Sequence, residues 1–311
     1  MKDELAREWE NAGGDARVLN DKSTAHLMIN ENKILSTNAV KGIIVKTKEL
    51  RNGASIDLRV KENARIKNPV HLCFGILEKN KKQFIKINLV LEKNSSAVLL
   101  AHCIFPEGKN IVHEMIADIK LGENSRFEYS ENHFHGYEVK NVFVNPVARI
   151  RAGKNATYIN KFNLLKGGAG RIVFDYEVVC ADGASADMTA KVNSYKGDEV
   201  NIREKVLLEG ADSNALLNTR IVLNDDAKGD VYNEIIGAGE NSRGHVDCVE
   251  VINGEKAVAK AVPVVTVKNN TSKITHEAAI GRIDKASLNT LMSRGLTEKE
   301  AIEVIIKGLL K

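Results

Sequence analysis

Through the middle of the chain, polar and apolar residues alternate one by one, which is the period of a half-buried strand. Arg171 to Cys180 shows the pattern: Ile172, Phe174, Tyr176, Val178 and Cys180 fall on one face, with Arg171, Asp175 and Glu177 on the other. Turn-like clusters interrupt the alternation at Asn94, Asn124, Asn155, Gly183, Asp212, Asn241 and Asn270, roughly every 29 to 31 residues. Weaker clusters lie half-way between, at Gly108, Gly167-Gly168, Gly197-Asp198, Asp225-Asp226 and Asn253-Gly254. Two short strands per repeat with no helical run between them exclude a βα repeat, and the Trp-Asp signature of propeller blades is missing. The expected fold is all-β with helical ends: a right-handed parallel β-helix with two strands per coil of about 29 residues. A single coil cannot bury its own inward face, so the stack needs covers against edge-to-edge pairing.

The ends change period. Met1 to Gly14 reads as a helix with Leu5 and Trp9 on one side, and residues 15 to about 40 carry no assignable pattern. From Lys285 the spacing of Ala286, Leu288, Leu291 and Met292 predicts a helix stopping at Gly295, a residue that tolerates positive φ. Thr297 to Glu300 then reads as a capping box opening a second helix, with Ala301, Val304, Ile305 and Leu309 on one side. This pair is the expected cover for the far end. The chain thus divides into an N-terminal segment 1–40, a β-helix 41–275 and a C-terminal helical segment 276–311.

Composition narrows the functional classes. With 43% apolar and 28% charged residues the chain is an ordinary globular protein. It has no run of 18 apolar residues, and Met1-Lys2-Asp3-Glu4 does not open a signal peptide, so no membrane association and a cytoplasmic location are expected. Cysteines at 73, 103, 180 and 248 fit neither a disulfide framework nor a Cys-x-x-Cys metal motif. The net charge of +4 comes from lysines interspersed with acids, which argues against nucleic acid as a partner. Hydrolase elbows, phosphate-binding Gly-rich loops and dinucleotide fingerprints are lacking, so any ATP-driven step belongs to another chain.

Coils of 29 residues set position i above position i+29, about 4.8 Å apart. That spacing predicts Cys248 stacked on Glu277, with Glu250 on the same face and His276 and His245 on the other. A thiolate with a carboxylate or imidazole nearby is a sparse ligand set, suited to holding an iron-sulfur cluster and still releasing it. The plainer alternative makes Cys248 a small buried hydrophobe. Cys180 lies on an apolar strand face and reads as core. Cys73 and Cys103, 30 apart and near His71 and His102, would stack as a second site or lie in the core, and the core reading is preferred. His113 with His133 and His135 suggests zinc only weakly, because no third ligand stands at a recognisable spacing.

The run Thr275-His276-Glu277-Ala278-Ala279-Ile280-Gly281-Arg282-Ile283-Asp284, then Leu288, Leu291-Met292-Ser293-Arg294-Gly295-Leu296, Glu300-Ala301 and Ile306-Lys307-Gly308, closely resembles the C-terminal signature of the SufB/SufD family. These are scaffolds of the SUF machinery that assembles iron-sulfur clusters. The resemblance is dense from Gly244 to Gly308. It implies a parallel β-helix, a transient cluster as cargo, and Cys248 at the position of the cysteine implicated in nascent-cluster formation at a subunit interface. Gly254, Pro263 and Asn269-Asn270 match in between. SufD-type members usually carry Gly at the position of Glu277, so the chain is SufB-like and similar to the minimal archaeal scaffolds. The resemblance further implies a SufC-like ABC-type ATPase docked on the C-terminal helices, through Leu288, Leu291, Met292, Arg294, Gly295, Ala301 and Ile305. It also implies a homodimer through the terminal coils, a sulfur donor and apoprotein acceptors. Glu277 or His276 would join Cys248 as ligand, with Glu250 and His245 behind them. The stretch Ala148 to Gly153 lacks the cysteine thought to receive sulfur in bacterial members. Two other classes fit a β-helix. A polysaccharide lyase or hydrolase would need clustered acids and export, and a purely structural solenoid would have no use for Cys248.

Overall fold

A computed structural model describes residues 1–311. Nineteen strands, from β1 (His26–Asn30) to β19 (Lys273–Arg282), lie between helix α1 (Lys2–Asn11) and helices α2 (Lys285–Ser293) and α3 (Glu298–Leu309). From β5 (Val70–Gly75) onward the odd-numbered strands build one sheet and the even-numbered strands the other, each paired in parallel with the strand two places on. This is a parallel β-solenoid. Alternate residues of every middle strand point inward, as in β12 (Arg171–Cys180), and the two inner faces form one core of 61 buried residues. Strands begin at His26, within the stretch that carries no sequence pattern, and β19 runs past residue 275 to Arg282.

The recurring turns have a stereochemical cause. Asn63, Asn94, Asn124 and Asn155 all adopt left-handed backbone with φ between 55° and 59°, a region asparagine enters at little cost. Each side-chain amide donates to the carbonyl of the one below, at 3.0, 3.1 and 3.2 Å. The next rung is Gly183, also left-handed at φ +63°, where a Cβ would stand 2.2 Å from the Asn155 side-chain oxygen and force that amide to turn away. Asp212 and Asn241 complete the left-handed row. Asn270 is not in that conformation.

The two ends differ. At the start the chain doubles back in antiparallel pairs, β1 with β2 (Lys33–Asn38) and β3 (Ile43–Leu50) with β4 (Gly53–Val60), and the outermost strands carry Lys33, Lys46, Lys48 and Glu49. Helix α1 packs on the outside of the first sheet, where Leu5 and Trp9 join Met28, Cys73 and Ile104 in a separate apolar cluster. At the far end the expected cover is absent from the axis. Ile306 of α3 and Leu310 just beyond it pack sideways against Val222 and Val251, so the helices lie along the flank of the solenoid. The last strands, β18 (Val258–Val267) and β19, are left with free edges and a partly open inner face. The termination signals themselves stand as expected: Gly295 has φ +97°, and Thr297 and Glu300 form a reciprocal capping box.

Candidate functional site

Cys248 lies in β17 (Arg243–Asn253), one strand in from the open end, with its side chain inward and 1% exposed. Its stacking partners are Thr219 below and Ala278 above. Glu277 instead pairs with Asp247, on the opposite face of the sheet from Cys248. The expected Cys248–Glu277 stack therefore does not form, and His276, paired with Val246, shares the face of Cys248. His245 lies on the outer face, where its Nδ1 is 2.8 Å from the Thr275 hydroxyl oxygen. The cause is a single residue. Asn224 pairs with Asn253, 29 positions on, but Lys228 pairs with Val258, 30 on, because the turn Gly254–Ala257 is one residue longer than Asp225–Ala227 below it. A one-residue slip exchanges every inward and outward side chain of the strand that follows. His276 and Glu277 are both exposed.

Glu250 stands where the spacing put it, inward and two residues from Cys248. It is fully buried, with Oε1 3.9 Å from Sγ and Oε2 without a hydrogen-bond partner. Burial and then Glu250 push the Cys248 thiol up to about 12. Burial and then the Asp230 charge raise Glu250 to about 7, opposed by the Lys260 backbone amide and the thiol. In the isolated chain the thiol is thus held protonated.

A row of inward polar residues, unrecognised in the sequence, leads to this pair. Glu204, on β14 (Glu199–Leu208), accepts from Thr219 Oγ1 at 3.1 Å and Asn233 Nδ2 at 2.6 Å, and Thr219 stacks directly beneath Cys248. Tyr176 stacks next to Glu204, and its hydroxyl donates to Glu131, which lies 3.8 Å from His133. Burial raises both Glu131 and Glu204 to about 7. The signal available was an acid at an inward position of an alternating strand.

The remaining candidates separate. Cys73 and Cys103 face opposite sides of their sheet, because Cys73 pairs with His102 and Phe74 with Cys103. The second stacked site therefore does not exist. Cys73 lies under Trp9, whose ring meets His71 and His102 edge-on at 5.8 Å, while Cys103 and Cys180 are core. His113, His133 and His135 are all buried, with His133 and His135 3.1 Å apart and His113 3.7 Å from the Cys103 sulfur. No three His, Cys, Asp or Glu side chains are arranged to hold a metal ion within the chain. Leu288, Leu291 and Ile305 are half-buried, and Met292, Arg294 and Gly295 are exposed. Ala301 is fully buried and presents nothing to a partner. No helix is long and apolar enough to cross a membrane.

Residues 74–309 match the family model described as the SUF system FeS cluster assembly, SufBD core domain. The chain belongs to the SufBD family. It is 36% identical over 284 residues to an iron-sulfur cluster assembly SufBD family protein of Methanocaldococcus jannaschii, covering 91% of this chain and 89% of that protein. A Pyrococcus horikoshii protein of the same description is 36% identical over 306 residues, 98% of this chain and 92% of its own length. The iron-sulfur cluster assembly protein SufB of Bacillus subtilis is 23% identical over 261 residues, 81% of this chain and 54% of that protein. The matched SufBD span contains the parallel strands from β6 (Lys81–Leu91) to β19, Cys248 and both C-terminal helices, while α1 and the antiparallel start lie before it.

Proposed function

We propose that this SufBD chain is a non-catalytic scaffold that builds a nascent iron-sulfur cluster at a subunit interface and releases it with the help of an ABC-type ATPase partner. The observation that carries this reading is the placement of the Cys248 thiol inside the last complete coil, one strand from an open, apolar end. Two such ends meeting about a two-fold axis would bring two thiols together, with His276 from each chain on the same inward face and Glu277 at the outer rim. Sulfur and iron arrive from donors, and the finished cluster leaves for acceptor proteins. ATP-driven movement of an ATPase held by α2 and α3 would open and close the junction, and a protonated thiol at rest would keep the site inert until then.

Anaerobic reconstitution with iron and sulfide, followed by visible absorption, tests the reading. Cys248→Ser removes almost no volume, so folding should persist while cluster absorption is lost, since a hydroxyl is a poor iron ligand. Assembly at the wild-type level by Cys248→Ser would return the residue to the core. Deleting Thr297 to Lys311 should abolish co-purification with the ATPase while leaving the sheet signal in circular dichroism. Binding that survives the deletion would move the contact elsewhere.

A further inference from the structure

The carboxylate that stands with Cys248 is not the one in the His-Glu-Ala run. Glu277 projects from the far side of the sheet, beside Asp247, whereas Glu250 shares the inward face of β17 with Cys248. The Glu250 side chain has no cation beside it. Its stacking neighbours are Ile221 below and Ile280 above, and Leu223 packs across at Gly229. The Arg220 guanidinium is engaged with Asp247 on the outer face. A fully buried carboxylate oxygen without a donor costs free energy, and its retention needs a reason.

The spacing supplies one. Sulfur and oxygen bound to one tetrahedral metal, at about 2.3 and 2.1 Å, stand roughly 3.6 Å apart. Cys248 Sγ and Glu250 Oε1 are 3.9 Å apart, so a shift of a few tenths of an ångström brings both onto one ion. A thiolate and a carboxylate together balance a dication, which leaves no net charge in the core. Only β19 separates the pair from the open end, and the residue over the sulfur is the small Ala278.

We propose that Glu250 is the oxygen ligand that holds iron(II) against the Cys248 sulfur, forming a two-donor loading position inside each subunit. As iron(II) binds, the thiol proton and the proton carried by Glu250 when its carboxyl is protonated both leave to solvent, giving the thiolate and carboxylate that balance the dication. Sulfide, or the second copy, completes the coordination. This rests on the reading of Cys248 as the assembly cysteine.

Cobalt(II), added anaerobically as an optical probe for iron(II), tests it through sulfur-to-cobalt charge-transfer absorption in the intact chain. Wild-type protein should show the band and Cys248→Ser should lose it. The isosteric Glu250→Gln should weaken cobalt affinity at least about tenfold, while Glu277→Gln stays within about twofold of wild type. Glu250→Asp keeps the charge and should recover most of the affinity lost in Glu250→Gln, with circular dichroism confirming each fold. Wild-type affinity in Glu250→Gln, equal weakening by Glu277→Gln, or Glu250→Asp as weak as Glu250→Gln would each overturn the role of Glu250 while leaving Cys248 in place. A band that persists in Cys248→Ser would overturn the assembly reading itself.

Discussion

Glu131 and Glu204 are fully buried carboxyl groups far from any lysine or arginine partner, held by Tyr176 in one case and by Thr219 and Asn233 in the other. Burial raises each from 4.5 to about 7. Between those two values the folded chain keeps protons on these two groups that the unfolded chain has released, so their own contribution to stability falls as pH rises from about 4.5 to 7, against the opposite contribution of the buried histidines His102, His113, His133 and His135, whose pKa burial lowers. Each shift of this size corresponds to about 3 kcal/mol. Glutamine keeps the acceptor oxygen and removes the titration. Relative to wild type, the double variant Glu131→Gln, Glu204→Gln should therefore gain stability progressively between about pH 4.5 and 7 in urea midpoints and be more stable at pH 8. A double variant with the wild-type slope would assign the pH dependence to other groups.

At the scale of elements, α1 is held by one residue more than by any other. Trp9 is 1% exposed and wedges its ring between His71 and His102, while Leu5 fills the space over Gly75. Trp9→Ala should cost about 3–5 kcal/mol locally and free α1 while the coils stay folded. Hydrogen exchange would then rise in residues 2–11 and stay low in β12; protection of both would show that Leu5 alone anchors the helix. The helices were legible in the sequence because their signals are local, namely Leu5 and Trp9 four apart and the reciprocal Thr297 and Glu300 cap. The strands were legible because alternation and the left-handed asparagines repeat with each coil. Where α3 packs was not, since Val222 and Val251 are distant in sequence from Ile306 and Leu310. The face of Glu277 was misread for a related reason: it depends on counting one extra residue at Gly254–Ala257, and coil lengths vary along the chain.

The whole molecule has a closed end and an open one, and the contrast is chemical as well as geometric. The first coil finishes in antiparallel hairpins whose outer strands carry Lys33, Lys46 and Lys48, charges that discourage another chain from pairing. The last coil finishes in parallel strands with free edges, where Val258, Val267 and Ile280 are 54%, 52% and 47% exposed. Its inner face offers the small Ala259, Ala261 and Ala278. An open, apolar edge of this kind invites pairing, and in the proposed dimer a second copy meeting it about a two-fold axis would add a paired strand to both sheets at once. Ala261 packs at the open edge of the core over Val231, so a lysine there would put its charge in the mouth and oppose that meeting. If the proposed dimer forms through this edge, Ala261→Lys should leave the circular dichroism spectrum unchanged and shift sedimentation from the dimer expected of wild type to monomer. Cluster yield on reconstitution should fall with it, because the two Cys248 thiols would no longer share a site. An Ala261→Lys protein that remains dimeric would move the contact to another face, and a monomer that still assembles clusters at the wild-type yield would show that one subunit suffices.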